Sequence, residues 1–352
     1  MTYKETLFFI GKCLTVNYNL TTKISIEKEL KTATIDWDSV VKLSTSHYVF
    51  PALYCNFKKA DFLHYLPQDL VDYMEYITHL NRERNKEIIE QTKEINELLS
   101  ASNITPIFLK GTGNLLEGLY DDIAERMLGD IDILIKKEDC NRAFEILQKN
   151  NYTKVLPVLF EDHRHLPRII NPNKIAAMEI HREMLLIEKS KYFNYESIKD
   201  SLKHDINNNC YVLSDENKIK LTIYSKLIND KEYILKRITL RAAYDFFLVA
   251  SKSSNTLYLH DENLGKELNA GVEVYNFILP NSKNVSFDSN KQSKLHLKRC
   301  LKAADRSFYS VKYYQFILLL LKLEFNTKFI FKSFFNKSYM KFILSRLFRH
   351  EK

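Results

Sequence analysis

The segment 128–135 reads Leu-Gly-Asp-Ile-Asp-Ile-Leu-Ile, so two acids alternate with branched apolar residues. A strand projects successive side chains to opposite faces. The alternation therefore predicts a strand with Asp130 and Asp132 on one face, and isoleucines 131, 133 and 135 on the other. This segment requires a sheet within the fold, and it puts two carboxylates side by side on that sheet.

Most of the remaining chain has the spacing of helices. Only seven Gly and seven Pro occur in 352 residues, which favours long helices and leaves little material for a Gly-rich phosphate loop. No Walker-type P-loop occurs. The chain is predicted to be α+β, with a core at 101–213 between a helical N-terminal region, 1–100, and a helical C-terminal region, 214–352.

Hydrophobic periodicity places individual elements within these regions. Beyond one long helix over 69–100, the predicted helices are 114–120, 137–150, 216–228, 232–251, 261–270 and 293–304. The predicted strands are 106–109, 131–135, 152–160, 165–170 and 175–184. Residues 281–290 are polar enough to be a loop.

The cysteines and the apolar runs bear on the compartment. Five cysteines lie far apart in an odd number, without a CxxC spacing, which is typical of reduced thiols in a cytoplasmic protein. No signal peptide is expected, because Gly11-Lys12 interrupts the first apolar stretch and no small-residue cleavage site follows. The longest apolar run, 316–321, is far shorter than the ~20 residues of a spanning helix, so no transmembrane segment is expected.

The positive charge is concentrated at the C-terminus. Residues 312–352 hold nine Lys/Arg against two Glu, so seven of the eight net positive charges lie there. The nearly neutral remainder gives no support for nucleic-acid binding by the body of the protein. The tail also contains Phe329, Phe331, Phe334, Phe335, Phe342 and Phe348. It is either a surface for weak contact with anionic membrane or RNA, or a segment whose aromatics pack on the protein's own helices while the cations reach water; we favour the second.

The two acids of the predicted strand have the spacing of a metal site. Carboxylates at i and i+2 on a strand project the same way and can share the hard cations that two-metal nucleotidyl transfer requires. The spacing alone is weak evidence, because Asp36 and Asp38 repeat it where N-capping of a helix explains the acids. The alternative at Asp130 and Asp132 is an edge strand with solvated acids. We favour the metal site, with both aspartates as catalytic ligands.

A turn about twenty positions upstream offers groups for phosphate. Lys110-Gly111-Thr112 can present backbone N–H groups, a hydroxyl and an ammonium to a triphosphate. The alternative is a helix start in which Gly111 relieves strain, Thr112 caps the helix and Lys110 is solvated. We interpret the segment as the triphosphate cradle.

A third carboxylate is expected on a neighbouring strand. By strand parity Glu179, His181 and Glu183 share a face, and Glu179 lies deepest in the apolar run. Glu179 is therefore predicted to be the third metal ligand or the general base, the alternative being a half-exposed strand with polar residues in water. His163 and His165 either approach the phosphates or are ordinary surface histidines, and we favour the second interpretation.

These residues resemble the uncharacterised nucleotidyltransferase family, which belongs to the polymerase-beta-like nucleotidyltransferase superfamily. The resemblance covers about residues 35–250. It rests on Ile107–Gly111, Tyr120, Arg126, 129–135, Ala143, Leu147 and Tyr152, and outside these on Ile35-Asp36-Trp37, His47, Pro51, 66–67, 163–167 and 179–182.

The resemblance implies a small mixed β-sheet flanked by helices, with the acidic pair on its second strand and Glu179 on a later one. It also implies that Arg126 is a second triphosphate contact, for which a surface salt bridge is the alternative. The chain departs from the superfamily at 110–112, where Lys-Gly-Thr replaces the usual Gly-Ser or Gly-Gly turn. That departure affects the phosphate contacts rather than the metal site.

The expected activity is transfer of a nucleoside monophosphate from an NTP such as ATP, with Mg²⁺ or Mn²⁺ as cofactor. The acceptor is a hydroxyl or amine on a protein, an RNA or a small molecule, and nothing in the sequence selects one. The alternative is a degenerate member that binds nucleotide or a partner without turnover. The presence of all three acids argues against it. A nucleic-acid-binding module driven by the tail finds no support in the neutral body.

Overall fold

The protein is described here from a computed structural model, which covers residues 1–32, 34–155, 163–280, 284–337 and 339–341. The α-helices are α1 (Tyr3–Leu14), α2 (Leu20–Thr32), α3 (Trp37–Ser46), α4 (Phe50–Ala60), α5 (Gln68–Ser100), α6 (Lys110–Leu116), α7 (Cys140–Lys149), α8 (Ile187–Ser190), α9 (Tyr195–Ile198), α10 (Asp215–Tyr224), α11 (Glu232–Leu235), α12 (Leu240–Lys252), α13 (Gly265–Ile278), α14 (Lys291–Ala304) and α15 (Phe308–Phe335). The strands are β1 (Ile107–Phe108), β2 (Asp130–Leu134), β3 (Thr153–Lys154), β4 (Ile169–Ile170), β5 (Ala177–His181), β6 (Lys203–Asp205), β7 (Cys210–Val212), β8 (Leu257–Leu259) and β9 (Val285–Phe287).

The first seven strands form one mixed sheet in the order β3-β4-β5-β2-β1-β7-β6, with helices on both sides. Strand β2 pairs with β1 in antiparallel and with β5 in parallel orientation. Strands β8 and β9 form a separate parallel pair. This is the α+β fold with a mixed sheet that the sequence predicts.

The apolar face of the sheet is covered by helices α5 and α7. Ile131 and Ile133 of β2 are fully buried in one cluster with Ile88 and Ile95 of α5 and Phe144 of α7. The long helix predicted over 69–100 is confirmed as α5, and the helix predicted at 137–150 as α7. Because these helices cover one face of β2, its aspartates project from the other.

Helices from both ends of the chain share a second hydrophobic core. Leu7 and Phe9 of α1, Phe57 of α4 and Phe246 of α12 lie in one buried cluster. The N-terminal helices therefore pack directly against the C-terminal ones. This shared core holds α12 beside the segment that leads into β2.

Several element boundaries differ from the sequence predictions. The strands predicted over 165–170 and 175–184 shrink to β4 and β5, and residues 156–160 of the strand predicted at 152–160 lie outside the described residues. The helix predicted over 232–251 is two helices, because Lys236 adopts a left-handed backbone with φ 55°. The predicted loop at 281–290 contains β9, although 281–283 are not described.

Strands β6, β7 and β8 were missed altogether, and the first two belong to the large sheet. Strand β6 reads Lys-His-Asp and β7 reads Cys-Tyr-Val, and each is three residues long. Alternation identifies strands of about four to eight residues, so three polar or mixed residues give no usable pattern. Strand β7 is fixed by tertiary pairing, since it joins the sheet in parallel to β1.

The tail forms helix α15, within the region 214–352 that was predicted to be helical. No residue of α15 is buried, and Phe331, Phe334 and Phe335 are among its exposed aromatics. The expectation that these aromatics pack on the protein is therefore wrong for this helix, although Phe329 is half-buried beside Tyr339. Phe342 and Phe348 lie outside the described residues. Among the described helices, none combines the length and the hydropathy needed to cross a bilayer.

Candidate active site

The acidic face of β2 meets that of β5 because of their register. In this parallel pair Asp132 lies opposite Glu179, and Leu134 lies opposite His181. Side chains two residues apart on a strand share a face, so Glu179 and His181 both project beside Asp132. One ligand atom of each of these three side chains lies within 4.8 Å of the others.

His181 makes the closest contact within this group. Its Nε2 lies 2.7 Å from Asp132 Oδ1 and 3.6 Å from Glu179 Oε2. The imidazole is fully buried, and no described residue hydrogen-bonds to its Nδ1. The sequence pattern placed His181 on the correct face, but selected only Glu179 from it. Glu183 does not join the group, because β5 ends at His181.

Lys110 closes the other side of Asp132. Its Nζ donates to Asp132 Oδ1 at 2.7 Å. The backbone of Lys110 is left-handed, with φ 53°, a conformation that is strained for a residue other than glycine. The strained backbone at the start of α6 therefore directs the ammonium back over the sheet to the acids.

The segment 110–112 is the first turn of α6 rather than a free turn before a helix. The helix begins four residues earlier than predicted, so the alternative interpretation as a helix start is correct for the backbone. Thr112 is buried and donates from Oγ1 to the Asp130 carbonyl at 3.4 Å. A Cβ on Gly111 would lie 2.4 Å from Leu128 Cδ2 and 3.0 Å from the guanidinium carbon of Arg126. Gly111 thus allows α6 to pack closely on the segment before β2.

The charges around Asp132 set its ionisation. Burial raises the pKa of Asp132, but the Lys110 ammonium and the hydrogen bond from His181 outweigh it and hold the pKa far below its ordinary value. Burial and the Lys110 charge lower the pKa of His181 to about 4, against the opposing effect of Asp132. Asp132 is therefore a permanent anion, and His181 is neutral at physiological pH.

Glu179 and Asp130 have the opposite tendency. Burial and the negative charge of Asp132 raise the pKa of Glu179. Burial also raises the pKa of Asp130, although Arg168 counteracts it. Three carboxyl groups in one half-buried cluster repel each other, so each gains from a nearby cation.

Arg168 supplies such a cation, and the sequence did not single it out. The residue comes just before β4, and its guanidinium pairs with Asp130 Oδ1. A strand of two residues carries no pattern from which the direction of Arg168 can be read. Only the antiparallel pairing of β4 with β5 brings it to the acids.

The histidines before β4 are not ordinary surface residues. His165 Nε2 lies 3.8 Å from Glu179 Oε2, and its ring lies 5.3 Å from that of His181. His163 stacks edge-on against His165 with ring centroids 4.2 Å apart. Burial lowers the pKa of both imidazoles. Both rings are half-buried beside the acids, which corrects the preference for a solvent-exposed location.

Arg126 lies beneath the site in a buried network. Its Nη2 is 3.0 Å from Asp245 Oδ2 of α12, and the Tyr120 hydroxyl donates to Asp245 Oδ1 at 2.7 Å. The Arg126 side chain is only 9% exposed, so the alternative of a surface salt bridge is wrong. The ion pair ties α12 to the segment that precedes β2. Contact of Arg126 with a triphosphate stays a prediction.

The second Asp-x-Asp of the chain behaves as N-capping predicts. Asp36 Oδ1 accepts from the Ser39 amide at 3.0 Å, and Asp36 is the N-cap of α3. Asp38 lies in the first turn of that helix, where the helix dipole favours an acid. The same spacing thus caps a helix at Asp36 and gathers acids on a sheet at Asp130.

The donor set near Asp132 is suited to a divalent cation. Two carboxylates and a neutral imidazole offer their ligand atoms within 4.8 Å. Carboxylates suit Mg²⁺ and Mn²⁺, and an imidazole shifts the preference towards Mn²⁺. Asp130, on the same face of β2, is the further carboxylate that a second cation would use.

Acids and a lysine gathered on one face of a mixed sheet form the arrangement of an enzyme that transfers phosphorus-containing groups. The chain belongs to the uncharacterised nucleotidyltransferase family, whose model matches residues 33–269, and it is therefore a nucleotidyltransferase. The match starts just before α3 and ends within α13, so α14 and α15 lie beyond it. A comparison with curated proteins gave no match for this chain.

Proposed function

We propose that the protein transfers a nucleoside monophosphate from an NTP to a hydroxyl or amine acceptor, with Mg²⁺ or Mn²⁺ held by Asp132, Glu179 and Asp130. The observation that carries the proposal is the group formed by Asp132, Glu179 and His181, in which all three ligand atoms lie within 4.8 Å. When bound, divalent cations stabilise the charge on the attacking oxygen and on the leaving pyrophosphate.

The side chains of the site have distinct roles in this transfer. Asp132 stays ionised because its pKa is depressed, which makes it a ligand at any physiological pH. Lys110, whose Nζ is 2.7 Å from Asp132, would be free to bind the triphosphate when Asp132 holds a metal ion. Arg168 pairs with Asp130 at the outer edge of the acids, from where its guanidinium can also bind the phosphates. Arg126 supports Lys110 and Gly111 from below.

The reaction balances without any further reagent. The acceptor oxygen or nitrogen forms a bond to the α-phosphorus, and the bond from that phosphorus to the bridging oxygen breaks, so pyrophosphate leaves. Where Glu179 acts as the general base rather than as a metal ligand, it takes the acceptor's proton and releases it to solvent. The donor is ATP or another NTP, and the acceptor is a protein, an RNA or a small molecule.

The test uses the chain's own second Asp-x-Asp as a control. The protein is incubated with each α-labelled NTP, Mg²⁺ or Mn²⁺, and a cell lysate as the acceptor source. Wild type and the Asp36→Asn/Asp38→Asn variant are expected to transfer label equally. The Asp130→Asn/Asp132→Asn variant is expected to lose at least ~10³-fold, because both metal ligands are gone.

Two results would contradict the proposal. Label transfer that survives in the Asp130→Asn/Asp132→Asn variant would place the chemistry elsewhere. NTP binding without transfer under every condition would mean that the protein binds nucleotide without turnover. Thermal unfolding of each variant shows whether a loss of transfer reflects the site or the fold.

A further inference from the structure

Helix α15 touches the body of the protein along one narrow stripe. Ser310, Tyr314, Ile317 and Leu321 are half-buried and recur every three or four residues, as one face of a helix does. Helix α15 contacts α11 and α14. The remainder of the 28-residue helix projects into solvent, and none of its residues is buried.

The opposite side of α15 is apolar and exposed. We call it the apolar face, and at least 44% of each of its side chains is exposed: Tyr309, Tyr313, Phe316, Leu319, Leu320, Leu323, Ile330, Phe331 and Phe334. Single exposed apolar residues are ordinary, but nine on one side of ~40 Å of helix, interrupted at Thr327, mark an interaction surface.

Positive charge is concentrated on the helix that precedes α15. The preceding helix, α14, has the sequence KQSKLHLKRCLKAA, which contains no acid. Its exposed cations are Lys291, Lys294, Lys298, Arg299 and Lys302. Residues 291–352 hold fifteen Lys/Arg against three acids, a net charge of +12, so residues 1–290 carry −4. The protein is therefore strongly polarised, and α14 and α15 alone hold nine Lys/Arg against the single acid Glu324.

We propose that α14 and α15 bind the surface of an anionic lipid bilayer, with the apolar face inserted between the headgroups and the cations of α14 paired with lipid phosphates. An apolar helix face and a basic cluster are two signals that reinforce each other at an anionic membrane. Lys312 and Lys322 of α15 lie beside the apolar face, from which their flexible stems reach the headgroups.

The composition of the face favours lipid over RNA. Bases stack on aromatic or guanidinium planes, but the centre of the apolar face is aliphatic, with Leu319, Leu320 and Leu323. Leucine adds nothing to a contact with a phosphate backbone. A second copy of the chain is disfavoured by charge, because two pairs of helices that each carry a net charge of +8 would meet.

Vesicle flotation of the full chain tests the proposal. Wild type is expected to float with vesicles of equal parts phosphatidylcholine and phosphatidylglycerol, and to remain unbound with phosphatidylcholine alone. Leu319→Glu/Leu323→Glu, on the apolar face, is expected to bind at least ~10-fold more weakly, because charges cannot enter the acyl boundary. Leu20→Glu/Ile24→Glu is the matched control, since it alters exposed apolar residues of α2, which are 73% and 58% exposed.

The basic helix is tested in the same assay. Lys294→Glu/Lys298→Glu is expected to lose ~10-fold or more at low salt, whereas Lys28→Glu/Lys42→Glu changes equally exposed lysines elsewhere and is expected to bind nearly as wild type does. Circular dichroism checks that every variant is folded.

Equal flotation of the Leu319/Leu323 variant and wild type would overturn the proposal. So would absence of flotation, tighter binding to RNA than to vesicles, or sedimentation as a dimer that the same variant dissociates. Label transfer does not enter the readout, so this result is independent of the catalytic proposal.

Discussion

His181 is the side chain that most changes the description of the site. It is a fully buried imidazole 2.7 Å from Asp132, and it is neutral because burial and Lys110 lower its pKa to about 4. A neutral imidazole is a metal ligand, whereas a protonated one is not. His181 therefore either coordinates a cation directly or orients Asp132 as a ligand.

Replacement of His181 by glutamine is expected to weaken Mn²⁺ binding by ~10–100-fold, because ligands and their immediate partners contribute effects of that size. The fraction of free Mn²⁺, read from its paramagnetic resonance signal during a titration, measures the change. His204→Gln, at an exposed histidine of β6, serves as the control and should bind Mn²⁺ as wild type does. Unaltered Mn²⁺ affinity in His181→Gln would exclude His181 from the metal site.

At the scale of residues, the sequence correctly predicted the face of the sheet for side chains that lie on regular strands. Alternation found Asp130 and Asp132, and the same parity put Glu179 and His181 on one face. Parity does not rank residues within a face, so the choice of Glu179 alone left His181 out. Arg168 was beyond reach because its direction follows from a two-residue strand and its pairing with β5.

At the scale of elements, the link between α12 and the sheet carries a buried charge pair. Arg126 and Asp245 are 9% and 7% exposed, and their ion pair is backed by the Tyr120 hydroxyl. A buried pair gives little net stability when intact, but removal of one partner leaves a charge without compensation. The pair therefore fixes which face of α12 packs against the segment before β2.

Asp245→Asn is expected to lower the free energy of unfolding by about 3 kcal/mol, because the Arg126 guanidinium stays buried without its counter-charge. Urea denaturation followed by circular dichroism measures the loss. Asp121→Asn is the counterpart at an exposed cluster with Lys59 and Lys252, where about 1 kcal/mol or less is expected. Equal losses in the two variants would mean that burial does not distinguish the pairs.

The predictability of an element depended on its length. Helix α5 has 33 residues and a regular apolar stripe, so its existence and bounds were read almost correctly. Helix α6 was predicted four residues late, because its start depends on the left-handed backbone of Lys110. Strands β6 and β7 are set by pairing with distant residues, which local periodicity does not contain. For α15 the pattern gave a basic, aromatic segment, but not the fact that its apolar side chains stay in solvent.

At the scale of the whole molecule, the half-buried His47 and the buried His296 lie where helices from different regions meet. The Leu240 amide of α12 donates to His47 Nδ1 at 3.1 Å, and His47 Nε2 lies 3.2 Å from the Tyr3 hydroxyl of α1. His296 of α14 stacks on Tyr233, with ring centroids 4.4 Å apart. Burial and nearby cations lower the pKa of His47 to about 4 and that of His296 to about 3.

These depressed pKa values make the packing of the helices sensitive to acid. Between pH 6.5 and about 4 or 3 the unfolded chain binds protons at both histidines and the folded chain does not, so stability falls as pH decreases through this window.

Each of these two histidines is expected to lower the free energy of unfolding by about 1 kcal/mol at pH 5.5 relative to pH 7.5. Urea denaturation at both pH values measures the difference. It should shrink by about 2 kcal/mol in His47→Gln/His296→Gln and remain unchanged in His260→Gln, at an exposed histidine. A pH dependence identical in wild type and the double variant would show that these two histidines stay uncharged in both states, or charge equally in both.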